Sequence, residues 1–370
     1  MNQQRMLDEF EYLVSLDSIT YHEEKVAQYL ITTLKALGFQ VVEDNASSYY
    51  HSTANNIYGY LKGSLPGSPI LFSSHMDTVE PGLQKKAIVH QDGKITSDGT
   101  TVLGADDISG IVSILEAVRC IQEVKCLHRD IEVLFTIAEE AYLKGSDVVQ
   151  YWRIKAKTAY VLDLSGPIGD AAIKAPTLIA FEAVFQGKEA HAGFAPHQGI
   201  HAISMTAKAI SLIQNGYVDK ESTINIGKIE GGVATNTVPE RCCIKGEIRS
   251  YRHERALQLF QEIQQICEKT ANQFQGKLLI NSTIPMYAYE IDLQHPVVTH
   301  MKKAAANIGI HVNLISTFGG SDNNNFVRNG ITGIVLACGM QQVHSFHEYT
   351  TIKDLVLCVR LVKELMTGEE

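Results

Sequence analysis

His75 and Asp77 stand one residue apart, directly after the apolar run Ile70-Leu71-Phe72. A zinc-like cation takes imidazole nitrogen and carboxylate oxygen as ligands, and a carboxylate behind a histidine fixes the ring through a hydrogen bond. An H-x-D triplet alone is a weak signal, because most are accidental. It gains weight from residues of the same chemistry further along: Asp106-Asp107, Glu139-Glu140, Asp163, His344 and His347. Each has a plain structural reading in isolation. Asp106 and Asp107 would complement a helix N-terminus, Glu139-Glu140 would be a solvated loop pair, Asp163 would cap a turn, and the histidines would be ordinary surface or core residues. Brought together without cations, however, these carboxylates repel one another and shift towards protonation, which divalent ions relieve. One metal centre accounts for the whole set, provided that the fold makes it converge.

The apolar patterning says how that convergence would arise. Helices are expected over 4–16 and from a Thr20/Glu23 capping box to about 37, with Gly38 as the stop. Strands are expected at 39–43, 57–61, 70–72, 130–137 and 158–162, and a long helix from Asp106 to about 121 carries Ile111, Ile114, Leu115 and Val118 on one face. This alternation predicts an α/β layer with a largely parallel, buried central sheet flanked by helices. From 177 to 288 the order changes to strand 178–186, helix 197–215, strands 222–229 and 241–250, helix 253–272 and strand 277–282. That is the split βαβ order of a small α+β ferredoxin-like domain. The α/β rhythm then resumes with helix 295–307, strand 311–316, helix 321–329, strand 331–337 and a final helix 352–366. A discontinuous main domain, 1–176 with 289–370, and an inserted domain, 177–288, follow. In an open α/β sheet the loops after parallel strands share one edge, where ligands bind. His75, Asp77, Glu139, Glu140, Asp163 and His344 all fall after such strands, and Asp106-Asp107 opens the long helix.

Composition narrows the function classes. At 370 residues and 45% hydrophobic the chain can bury a large core. A net charge of −9 opposes a nucleic-acid partner, which needs clustered Lys and Arg. No apolar run reaches the ~18 residues of a membrane span, and the N-terminus turns acidic too early for a signal peptide, so a cytoplasmic address is expected. Seven cysteines without a C-x-x-C read as thiols in a reducing compartment. Neither G-x-x-x-x-G-K-[ST] nor a well-placed G-x-G-x-x-G is present, which argues against a phosphate cofactor.

Taken as a series, His75-Met76-Asp77, Gly104-Ala105-Asp106-Asp107, Glu139-Glu140, Asp163 and His344-Ser345-Phe346-His347-Glu348 resemble the motifs of the M20 metallopeptidase family. Residues 99–107 (GTTVLGADD) are most similar to its tripeptide aminopeptidase, or peptidase T, branch. The likeness continues through 187–196 (GKEAHAGFAP), 236–240 (NTVPE), 246–250 (GEIRS) and 319–322 (GGSD), and so spans both domains. It implies a metallopeptidase domain with an inserted lid or dimerisation domain, and two divalent ions per subunit. Zinc suits the mixed ligands best, with manganese or cobalt as alternatives. Asp106 would bridge the ions, one held further by His75 and Asp163, the other by Glu140 and His344. Asp107 and His347 are the neighbouring alternatives. The family's bridging aspartate directly follows the Gly-Ala pair, and a glutamate stands four residues after its histidine, which favours Asp106 and His344.

Further roles follow from the same resemblance. Glu139 would be the general base, Asp77 the orienting partner of His75, and His191 the donor to the tetrahedral intermediate. Arg249 has the planar fork to grip a carboxylate, Asn236 can donate to a backbone carbonyl, and Gly320 and Ser321 could offer backbone donors near a helix start. Short peptides would be the substrate, a homodimer through the insert the assembly, and hinging near 177 and 288 the closing motion. Two other readings keep the scaffold. One is an N-acyl amino acid amidohydrolase or carboxypeptidase/dipeptidase. The other is a non-catalytic binder of peptide or metal, against which Glu139 stands, since a binder needs no base.

Overall fold

The computed structural model describes residues 1–367. Two compact units divide the chain: Met1–Lys174 together with the segment from Glu290 onward, and Ala175–Tyr289.

The first unit is built on a mixed sheet. Its strands run in the order Gln40–Glu43, Ile57–Leu61, Ile131–Thr136, Ile70–His75, Thr158–Leu164, Thr332–Ala337, Asp170–Ala175, and Asn313–Ser316 pairs with the last of these. The four central strands, Ile131–Thr136 to Thr332–Ala337, are parallel to one another, while Gln40–Glu43 and Ile57–Leu61 add on antiparallel. Every residue of Ile70–His75 and of Ile131–Thr136 is buried, as expected where helices cover both faces of a parallel sheet. Helix Ala105–Glu123 packs on this centre with Ile111, Ile114, Leu115 and Val118 fully buried. Burying each of these contributes about 1.5–3 kcal/mol. A β-carbon on Gly110 would lie 2.5 Å from Asp107 Oδ1 and 2.7 Å from the Leu162 carbonyl, so only glycine lets the helix approach the strands this closely.

The second unit carries an antiparallel sheet in the order Gly216–Asp219, Ser222–Gly231, Arg241–Ser250, Thr177–Gln186, Lys277–Met286. Helices Ala202–Leu212 and His253–Gln273 pack against it. The longer one buries Ala256, Leu259, Ile263, Cys267 and Ala271, a spacing of three and four that lays one apolar stripe on Phe181, Phe185, Ile244 and Ile248.

Local differences from the sequence reading have physical causes. The helix expected over 197–215 is a 3-10 turn, Pro196–Gln198, then Ala202–Leu212, because Ile200 leaves the helical path to bridge Lys188. Strands Asp170–Ala175 and Gly216–Asp219 carry too little β-branched alternation to be read in advance. The helix expected over 321–329 is a short one, Asn323–Arg328.

Candidate metal centre and active site

The parallel strands deliver the polar residues to one edge of the first unit. Ile70–His75 ends on His75, Ile131–Thr136 runs into Glu139-Glu140, and Thr158–Leu164 carries Asp163 one residue before its end, two residues further than the strand expected. The loop after Thr332–Ala337 brings in His344, which takes a left-handed φ of 60°.

Asp106 stands between the two histidines. Its Oδ1 is 3.0 Å from His75 Nε2 and its Oδ2 is 3.3 Å from His344 Nε2. His344 Nε2 also lies 2.8 Å from Glu140 Oε1, and His75 Nε2 lies 3.8 Å from Asp163 Oδ1. Each oxygen of one carboxylate thus faces an imidazole accompanied by a second carboxylate. Ligand atoms of His75, Asp106 and Asp163 all fall within 4.8 Å of one another, as do those of Asp106, Glu140 and His344 and those of His75, Glu139 and Glu140.

Burial and neighbouring carboxylates work against negative charge on Glu139, Glu140 and Asp163. Burial, then the charge of Asp163, pushes Glu139 well above the ordinary carboxylate range. Burial likewise raises Asp163 and Glu140. For Asp106 burial works upward too, but the bonds from His344 and His75 outweigh it and hold the group low. Burial would lower His75, yet Asp106, Asp77 and Asp163 together raise it well above its usual value. Bonds to Asp106 and Glu140 lift His344 to about 10. The oxygen and nitrogen donors suit divalent cations, which would relieve the repulsion among these carboxylates.

The alternatives left open by the sequence separate here. Asp107 points away: Oδ2 accepts from the Ser74 hydroxyl at 2.5 Å and the His75 amide at 3.2 Å, and Oδ1 from the Gly110 amide at 3.3 Å. That last bond, three residues on, caps the regular helix, since Asp106 and Asp107 themselves have non-helical backbone angles. His347 is exposed and lines a separate cavity with Lys94, Asp98 and Phe346.

Asp77 contacts both His75 and the loop that carries Glu139 and Glu140. The Nδ1 of His75 is 2.9 Å from the Asp77 carbonyl and 3.4 Å from its carboxylate Oδ1. The carboxylate accepts from the Glu139 amide at 2.9 Å, the Glu140 amide at 3.2 Å and the Thr20 hydroxyl at 2.8 Å. The expected Thr20/Glu23 capping box is therefore absent: Thr20 is spent on Asp77, and Glu23 turns inward to accept from Tyr21, Ser52 and Ala138. Glu348, read only as a family marker, is buried and accepts from the amides of Gly104 at 2.8 Å and Asp106 at 3.0 Å. It anchors the turn that presents Asp106. Neither Glu23 nor Glu348 could be given these partners from sequence, because the contacts span 115 and 242 residues.

Gly320 and Ser321 line a cavity of about 460 Å³ together with Asp106, Glu139, Glu140, Asp163 and His344. The amides of Gly319 and Ser321 already donate to Thr317 Oγ1 and Asn324 Oδ1, which narrows the backbone donors expected there. In the second unit, the pairing of Ala190–His191 with Thr237–Val238 brings His191 beside Asn236, whose carbonyl accepts from Ala192 at 2.9 Å. His191 is exposed and stacks on Phe194 at 4.3 Å between ring centres. Its Nδ1 accepts from the amides of Gly193 and Phe194, so the neutral ring carries its proton on Nε2 and presents a donor. Arg249 is in the main sheet of that unit, opposite Leu178, and pairs with Glu247 at 2.8 Å.

Known proteins match this fold over 99% of the chain. A tripeptidase from Staphylococcus aureus superposes with a TM-score of 0.96 at 35% identity, covering 99% of this chain and 98% of that one. Aminopeptidase PepT from Bacillus cereus gives 0.91 at 36% identity, with 99% and 98% covered. The chain belongs to the M20 metallopeptidase family, in its peptidase T-like branch. A further relative, the uncharacterized protein YqjE of Bacillus subtilis, is 36% identical over 362 residues, 98% of this chain and 97% of its own. Within this M20 peptidase, residues 174–275 match the family model for the peptidase dimerisation domain, and residues 56–213 match that for peptidase family M28. Among the described residues, no helix is long and apolar enough to cross a membrane.

Proposed function

We propose that this M20 peptidase is a two-metal aminopeptidase that removes the N-terminal residue of tripeptides, working as a cytoplasmic homodimer. The observation that carries the reading is the Asp106 carboxylate, whose two oxygens each face a histidine, with Glu139 beside the same atoms. The printed names of the tripeptidase and of aminopeptidase PepT support the substrate class. The match of the insert to a dimerisation domain supports the homodimer, and seven free cysteines support a reducing compartment.

Asp106 would hold both ions, His75 and Asp163 one of them, and Glu140 and His344 the other. Such ions, zinc first among them, polarise a carbonyl and make water nucleophilic at neutral pH. The chain's own residues do the rest. Glu139 takes a proton from the water that attacks the peptide carbonyl and passes it to the departing amine nitrogen as the C–N bond breaks. Its amide is pinned by Asp77, and so is that of Glu140, so base and ligand share one support. His191 is assigned the Nε2–H that meets the developing oxyanion, supplied by the insert of this or of a partner subunit. Asn236 and Arg249 are assigned to the peptide's carbonyl and carboxylate, and the Gly320-Ser321 segment to the wall beside Glu139 and Glu140.

A hydrolysis panel tests the proposal. Purified chain loaded with zinc, manganese or cobalt should release the N-terminal residue from free-amine tripeptides faster than from dipeptides. It should leave N-acetylated amino acids intact. Cleavage confined to the acylated substrates would replace the aminopeptidase reading with amidohydrolase chemistry.

A further inference from the structure

Four consecutive backbone amides after the Ile131–Thr136 strand each donate to a side chain from elsewhere in the first unit. Ile137 donates to Asn56 Oδ1 at 3.0 Å, Ala138 to Glu23 Oε1 at 3.0 Å, Glu139 to Asp77 Oδ1 at 2.9 Å and Glu140 to Asp77 Oδ2 at 3.2 Å. The chain leaves the sheet here, so these buried donors need partners beyond the ladder. Ala138 is the sharpest point of the turn, with a left-handed φ of 46°. Its side chain is a methyl, and its amide is the polar handle by which Glu23 holds it.

Glu23 is fully buried and is itself fixed from two more directions. Oε1 also accepts from the Tyr21 amide at 2.8 Å, and Oε2 accepts from the Ser52 hydroxyl at 2.7 Å. Ser52 Oγ in turn accepts from the Ala54 amide at 3.1 Å. A carboxylate shielded from water and satisfied by three neutral donors is an expensive way to begin a helix, and its side chain makes no cap bond to that helix. One of its partners, the Ala138 amide, lies instead on the loop that carries Glu139.

We propose that Glu23 is a positioning residue for the general base: by accepting the Ala138 N–H it fixes the left-handed turn that aims the Glu139 carboxylate. The role needs an acceptor oxygen and not a charge. The substitution Glu23→Gln would keep one acceptor for the two amides and turn its NH2 towards Ser52, whereas Glu23→Ala would release the turn. A misplacement of about 1 Å at a reacting group lowers turnover by roughly 100-fold.

The inference rests on Glu139 being the base, so the test carries its own check of that reading. Steady-state kinetics on a tripeptide, bound-metal stoichiometry and thermal unfolding are measured for the wild type, Glu23→Ala, Glu23→Gln, Glu139→Gln and the double variant Glu23→Ala/Glu139→Gln. Glu23→Ala should lose kcat about 30- to 100-fold with KM within about threefold and metal content unchanged. Glu23→Gln should stay within about threefold of wild type, and the double variant should be no slower than Glu139→Gln alone. If Glu23→Ala does not fold, Ser52→Ala, which frees one side of the Glu23 carboxylate, should still lower kcat about 3- to 10-fold. The inference is overturned by a folded Glu23→Ala enzyme with wild-type kcat, by a defect confined to KM or metal content, or by Glu23→Gln being as slow as Glu23→Ala. Loss of turnover in Glu139→Gln checks the underlying base assignment separately.

Discussion

Two groups of residues assigned to one reaction are built in opposite ways. In the first unit, His75, Asp77, Asp106 and Glu139 are buried and braced by one another and by Thr20, Glu23 and Glu348. In the second unit, His191 and Asn236 are exposed and held through short backbone contacts. Burial strengthens every charge interaction in the first group, and its geometry is set before any substrate arrives. The second group keeps little of its polar capacity for the fold, which leaves it for a ligand. Changes in the first group, the base Glu139 apart, should therefore move metal affinity, stability and turnover together, and changes in the second should move turnover alone.

Removing the metal should have the largest effect. A chelator should abolish hydrolysis, and reloading at pH 7 should release protons. The sign follows from His344, whose pKa stands at about 10, above the usual 6.5. In the metal-free fold its proton is retained below that value and lost as pH rises through it. An incoming cation must displace this proton, so affinity should rise with pH, which calorimetry in buffers of different ionisation enthalpy would reveal. Next in size, Glu139→Gln should lower kcat by about 10²–10⁴-fold while metal stoichiometry is kept. His191→Ala should lower kcat about 10²–10³-fold. It should leave unfolding free energy within about 0.5 kcal/mol, since the ring is exposed; marked destabilisation would break the contrast between the two groups. The smallest effect is expected for Asp77→Asn, which keeps one acceptor but loses the second: about 10- to 100-fold in metal affinity and turnover, checked by competition with a chromogenic chelator.

Much of the first unit was legible because burial on both sides of a parallel sheet writes itself as short apolar runs. Ile70-Leu71-Phe72 and the run ending at Ile137 place His75 and Glu139 on one edge from the apolar pattern alone. The single helix expected over 197–215 was less legible, because Ile200 is diverted by a pairing with Lys188 that no local pattern shows. Within the site, residue type and family spacing pointed to His75, Asp106, Glu140, Asp163 and His344, which the fold brings together. Glu23, Asn56 and Glu348 were not legible in their actual roles, since each acts by accepting a hydrogen bond from a backbone amide distant in sequence. Glu23 was also masked by a plausible local pattern, the Thr20/Glu23 capping box, which loses to the buried donors that need both side chains.

Anomalous scattering from crystals of the zinc- or manganese-loaded chain tests the central claim most directly. We expect two peaks flanking the Asp106 carboxylate, one within bonding distance of His75 and Asp163 and the other of Glu140 and His344. A single peak, or ions bound by Asp107 or His347 in place of Asp106 or His344, would contradict the assignment.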